Sequence, residues 1–210
     1  AALSKHEWTG EEPENFILMG LVPANDPGLL IGPTHRIIHA QSVSDIKTNL
    51  AASFTIRPCE AITPTALLEE ISQPDPATTR MAILGLDRDT THILTTRENI
   101  NPFQTQDTPN SWNALDTAIL QYGILKPMFG INEDILACGK AVTYSHDVHT
   151  VFRTISSGKA NFGFLLNPPT LDQVMSAADS GDRMPQKSTY FTPKLPTGIV
   201  LHGFDSVRSD

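Results

Sequence analysis

The densest set of residues able to do chemistry lies near the end of the chain, in Asp182-Arg183-Met184-Pro185-Gln186-Lys187-Ser188-Thr189-Tyr190-Phe191-Thr192-Pro193-Lys194. Arg183, Lys187 and Lys194 bring positive charge, while the Ser188 and Thr189 hydroxyls and exposed backbone N–H groups donate hydrogen bonds; together they suit an anion. Pro185 and Pro193 stiffen the segment, so less entropy is lost on binding. The competing reading is mechanical, with Met184, Tyr190 and Phe191 anchoring the segment across a sheet or against residues outside the chain. Asn167-Pro168-Pro169-Thr170 suggests a second anion seat, because it follows an apolar strand and opens a helix. Strand ends in open α/β sheets and helix starts both present free N–H groups and partial positive charge. A plain capped turn is the alternative there. The ligand-binding candidates are Asn167, Thr170, Arg183, Lys187, Ser188 and Thr189, and the ligand class they fit is a small anionic or phosphorylated metabolite.

Other polar groupings carry less. His146 and His149 are three apart, a spacing at which two helical residues face one ion. Their place at a strand-to-helix junction instead makes Asp147 a helix cap. His35 and His39 are four apart in an extended segment, which separates them by roughly 13 Å. No metal is expected. Gly139-Lys140 and Gly158-Lys159 hold the dipeptide of a phosphate-binding loop without its glycine spacing or its following Ser or Thr. Cys59 and Cys138 form no C-x-x-C and read as buried free thiols. No Gly-x-Ser-x-Gly elbow occurs, so no catalytic residue and no cofactor is assigned.

Charge narrows the partners. Fifteen Lys and Arg stand against 23 Asp and Glu, a net −8, with no basic cluster to follow a phosphate backbone, which excludes nucleic acid. Hydrophobic residues at 40% and charged residues at 18% describe a chain that folds. No apolar run reaches the roughly 20 residues that span a bilayer, and Ala1 to Glu7 lacks the regions of a signal peptide, so a cytoplasmic protein is expected. Ala1 falls inside an interrupted helical pattern, and the chain is expected to be a piece of a longer one.

These groups must be positioned by an α/β framework. Asn15 to Pro23 is a near-continuous apolar run and predicts a central strand. Leu29–Ile31 and Thr34–His39 read as extended, and Ser42 or Ser44 caps a helix running to Ser53. Phe54–Pro58 returns as a strand, and Thr63-Pro64 opens a helix to Ile71. After the rigid Gln73-Pro74-Asp75-Pro76, the segments 80–86 and 92–97 flank Asp87-Arg88-Asp89-Thr90 as a hairpin. Residues 98–110 are polar and aperiodic. They divide a mixed subdomain, 1–97, from one at 111–210, or form a loop within one continuous domain. Trp112, Leu115, Ile119 and Tyr122 mark a helix ending near Leu125, ahead of Lys126-Pro127. The last third alternates strand 142–145, helix 147–157, strand 161–166, helix 171–180 and strand 198–204, with Gly158 and Gly181 closing the helices. The fold class is α/β, a mixed sheet with an antiparallel hairpin in the first half and βαβ units in the carboxy-terminal third.

The segment 182–194 also resembles the carboxy-terminal signature of the domain-of-unknown-function family 1015. Asp26-Pro27-Gly28-Leu29, Pro33-Thr34-His35-Arg36, Trp112-Asn113-Ala114-Leu115-Asp116, Tyr144-Ser145-His146-Asp147 and Phe164-Leu165-Leu166-Asn167-Pro168 are similar to the same family in the same order. The resemblance implies a cytoplasmic bacterial protein of roughly twice this length, whose amino-terminal half carries an Asp-Gly-His-His-Arg motif absent here. It further implies a genomic setting near serine-biosynthesis genes and a distant likeness to ParB-like proteins, some of them nucleotide-dependent serine kinases. Three functions follow as expectations: a domain binding a small anionic metabolite, an interaction module docking on the missing amino-terminal half, or part of a kinase acting on serine or a similar small substrate.

Overall fold

A computed structural model describes residues 10–40, 45–59, 63–72, 78–88, 90–98, 100, 102–103 and 108–203. It divides into two units: Ile31–Phe191, and a smaller one of Ala1–Leu30 with Thr192–Asp210.

The larger unit is built on six antiparallel strands. β2 (His35–Ile38), β3 (Phe54–Cys59), β4 (Arg80–Asp87), β5 (Thr90–Thr96), β6 (Val142–Ser145) and β7 (Phe162–Leu165) lie in the order β3-β5-β4-β7-β2-β6. β1 (Leu30–Gly32) and β8 (Tyr190–Thr192) form a separate pair. The β4–β5 hairpin forms as its sequence predicts, although Asp89 of its turn lies outside the described residues. The expected crossover is also present: β6 leads through α6 (Val148–Ser156) to β7. Both strands pair antiparallel with β2, which is inserted between them, so they share a direction without touching. Every hydrogen-bonded strand pair in the six-stranded sheet is antiparallel, where the alternating pattern predicted a partly parallel sheet.

Alternation along the strands gives the sheet two apolar faces. Ile37, Ala82, Leu84, Ile93 and Leu165 join one buried cluster with Leu67 and Ile71 of α2 (Pro64–Ile71) and Val148 and Val151 of α6. α6 approaches closely enough that a Cβ on Gly163 would stand 2.6 Å from Val151 Cγ1. Ile38, Met81, Ile83, Leu94, Phe162 and Phe164 join the other cluster. There they meet Leu50 of α1 (Ile46–Ser53), Leu115, Ile119, Ile124 and Leu125.

Local signals explain most helix ends. Thr63 caps α2 by accepting from the Ala66 N–H, with Pro64 in the first turn, where a missing N–H costs nothing. Asp147 caps α6, accepting from the N–H groups of His149 at 3.0 Å and Thr150 at 3.1 Å. α7 (Leu171–Asp179) opens on a capping box between Thr170 and Gln173. Gly158 and Gly181, at φ 69° and 71°, follow α6 and α7 as expected. The caps proposed at Ser42 and Ser44 and the connector 73–76 lie outside the described residues.

The helix expected over 111–125 is segmented. A 3-10 turn at Asn110–Trp112 precedes α3 (Asp116–Leu120), a π turn at Gln121–Leu125, and α4 (Lys126–Phe129). Pro127 has no N–H for the regular ladder, and the wider π turn absorbs that defect so that the helix continues past it. α5 (Glu133–Ala137) follows, capped by Asn132.

The smaller unit corrects two expectations. Residues 16–23 and 198–203 are described without a strand, and Phe16, Ile17, Leu18, Met19, Leu21, Val22, Ile199, Val200 and Leu201 are exposed. An apolar run satisfies the periodicity of a buried strand, but no ladder forms here among the described residues. Asp26 Oδ1 accepts from the Gly28 N–H at 2.8 Å, the turn its sequence announces.

Candidate functional site

Side-chain contacts fix the segment 182–188 on the α3 side of the sheet. Ser111 Oγ donates to Asp182 Oδ2 at 2.7 Å, and Trp112 Nε1 donates to the Arg183 carbonyl at 3.1 Å. Ser188 Oγ donates its one proton to the Pro185 carbonyl at 2.6 Å, so Thr117 Oγ1, 2.9 Å away, is the donor in their contact. Met184 packs on the hydrophobic core, and Arg36 Nη2 reaches the carbonyls of Gln186 at 3.3 Å and Lys187 at 3.0 Å. Lys187 has φ 57°, a left-handed conformation that bends the chain there.

The six sequence candidates fall into two groups. Arg183 and Lys187 are exposed, and Thr189 is half-buried. Ser188 is buried with its hydroxyl engaged, Thr170 is exposed with its oxygen capping α7, and Asn167 is half-buried and internally bonded. The Asn167 N–H and Nδ2 donate to Asp116 Oδ2 at 2.8 and 3.1 Å, and Nδ2 donates also to the Arg80 carbonyl at 2.8 Å. Asp116 is half-buried as a residue, yet its carboxyl lies within the protein. Desolvation pushes its pKa up to about 7 against the opposing pull of the Asn167 bonds.

Sequence reasoning missed Arg36. It sits on β2 with only 5% of its surface exposed, beside the apolar Ile37 and Ile38. Its guanidinium bonds three backbone carbonyls, those of Thr34, Gln186 and Lys187, and lies 4.7 Å from the Tyr144 ring centroid. Among the described residues no carboxylate comes within ion-pair distance. Burial lowers its pKa to about 10, with Tyr144 opposing, so the group stays charged at neutral pH. A cation in an otherwise apolar strand was the available signal, since such a charge is buried only with a purpose or a partner. Arg36 lines a cavity of about 40 Å³, together with Thr117, Gln121, Glu133, Tyr144 and Gln186.

His35 points to the opposite side of β2 from Arg36. It is fully buried and its Nδ1 accepts from the Leu166 N–H at 3.2 Å, which leaves the proton on Nε2, where no acceptor lies. Burial first, then the Arg36 and His146 charges, lower its pKa to about 4. His146 Nδ1 donates to the Pro33 carbonyl at 3.0 Å and its ring stacks on Tyr190, centroids 3.7 Å apart. Asp147 serves as the cap of α6. Among the described residues no three His, Cys, Asp or Glu side chains gather as metal ligands. Cys59 is buried as expected, its thiol donating to Glu70 Oε2 at 2.9 Å, whereas Cys138 is exposed, following the last turn of α5.

No helix among the described residues is long and apolar enough to cross a membrane. No curated protein matches the chain. Among solved structures it is similar to a conserved hypothetical protein from Pyrococcus furiosus, at 13% identity and a TM-score of 0.45, over 81% of this chain and 59% of that one. It is similar also to a free serine kinase in complex with AMP, at 10% identity and a TM-score of 0.45, over 81% of this chain and 56% of that one. The chain therefore spans less than two thirds of the length of either. The model of the family described as "Protein of unknown function (DUF1015)" matches residues 1–118, more than half of the 210, and the chain belongs to that family.

Proposed function

We propose that this chain is the carboxy-terminal part of a longer cytoplasmic protein, and that it binds a small anionic metabolite, free or phosphorylated, in the cavity beside Arg36. One observation carries the reading: a buried, charged guanidinium that lines a cavity and has no carboxylate partner among the described residues. A charge taken out of water is costly when uncompensated, and an anionic ligand would supply the compensation. Arg183 and Lys187, exposed on the segment whose carbonyls Arg36 holds, add attraction at longer range, and Thr189 adds a hydroxyl. Ser188 holds Thr117, a lining residue, whereas Asn167 and Thr170 are engaged elsewhere, with Asp116 and in the cap of α7.

The test is the melting temperature of the chain with inorganic phosphate, small carboxylates and phosphomonoesters. A rise that saturates with ligand and disappears in Arg36→Met is expected. A melting temperature unmoved by every one of these anions overturns the reading.

The exposed apolar residues of the smaller unit favour a second reading, an interaction surface for the amino-terminal half of the longer protein. It expects Ile17→Asp and Leu21→Asp to weaken association of the two halves in a pull-down while leaving anion binding unchanged. Undiminished association would remove it.

A further inference from the structure

The cavity beside Arg36 is lined by two charges of opposite sign that form no ion pair among the described residues, and from this we infer that its ligand is a small zwitterion of the amino-acid class, its carboxylate on Arg36 and its ammonium on Glu133. The inference rests on the anion-binding reading and narrows it.

Glu133 is the counterpart of Arg36 in the same lining, but exposed where Arg36 is buried. Its own backbone N–H at the start of α5, and then the Tyr122 hydroxyl from which its carboxylate accepts, hold its pKa below the usual carboxylate range. The Lys126 charge acts on Glu133 from a distance, its Nζ lying 5.6 Å from the Tyr122 ring centroid, but the two form no ion pair. Arg36 and Glu133 do not pair with each other either. A ligand that bridges them must offer an acceptor at one end and a donor at the other.

Gln121 points the same way. Its Nε2 donates to the Ile131 carbonyl at 2.8 Å, which fixes the amide orientation and leaves Oε1 as an acceptor without a partner among the described residues. A phosphate dianion brings acceptors alone and meets both Gln121 Oε1 and Glu133 unfavourably. An ammonium group supplies the missing donors. About 40 Å³ admits roughly three water-sized groups, room for the carboxylate end alone, with the ammonium held outside it at the exposed Glu133.

Calorimetric titration of the chain with glycine and alanine, against acetate, propionate, methylamine and inorganic phosphate, decides the matter. The zwitterions should bind about tenfold or more tightly than the matching carboxylates, and methylamine should not bind. Glu133→Gln should erase that preference, so that glycine and acetate bind the variant alike. Equal affinity for glycine and acetate, or glycine binding untouched by Glu133→Gln, overturns the zwitterion and spares the anion reading. Phosphate binding in place of the carboxylates has the same consequence, whereas no binding by any anion overturns both.

Discussion

Thr117 and Ser188 meet hydroxyl to hydroxyl at 2.9 Å although 71 positions separate them. Both are buried, and the Ser188 proton is spent on the Pro185 carbonyl, so the contact depends on the Thr117 proton. Thr117→Val, nearly isosteric, should leave Ser188 without its donor and cost about 1–2 kcal/mol in denaturant unfolding. Hydrogen exchange should quicken in residues 183–188, while the β4–β5 hairpin is unaffected.

His35 and Asp116 give opposite dependences on pH. His35 protonates near 6.5 when unfolded but only near 4 when folded, so stability falls as pH drops through that window. Asp116 is raised from 3.8 to about 7, so its contribution is full at low pH and is lost as pH rises between those values. Each amounts to something on the order of 3 kcal/mol, and in the intact chain they largely cancel. Between pH 4 and 7, His35→Gln should lose stability with rising pH and Asp116→Asn should gain it, as followed by urea denaturation.

Gly163→Ala tests the close seating of α6 on the sheet. The added methyl would stand 2.6 Å from Val151 Cγ1 and 3.2 Å from Ile155 Cγ1, so α6 must shift or the side chains leave their rotamers. A loss of about 1–3 kcal/mol is expected, relieved in part by Val151→Ala in the double variant.

Thr170→Ala removes one half of the capping box of α7 and should cost about 1 kcal/mol. Thr170→Ser should be close to neutral. A binding role for the Thr170 hydroxyl would instead show as a change in anion affinity at constant stability.

The sequence made local features legible where one residue type has one mechanism. Thr63, Asp147 and Thr170 each cap a helix, and Gly158 and Gly181 each end one. The insertion of β2 between β6 and β7 was hidden because alternation reports which residues face a core, not which strand lies beside which. Asn15–Pro23 misled for a related reason: apolar content marks a segment that prefers cover, and cover depends on a partner elsewhere. The polar segment 182–188 was visible by composition. Arg36, however, became a candidate only once the absence of a carboxylate around it could be seen, and pairing is a property of the folded chain.

The position of β2 also sets an order on synthesis. Residues 35–38 emerge before both of their sheet neighbours, 142–145 and 162–165, which follow more than 100 residues later. A nascent chain stopped after residue 118, where the family model ends, would hold the three strands β3, β5 and β4 while both edges of β2 stayed bare. Contacts so distant in sequence close slowly, and a truncated product with an open edge is prone to associate with others like it. Cutting the gene there should therefore yield aggregated protein, and the whole chain should fold slowly for its size.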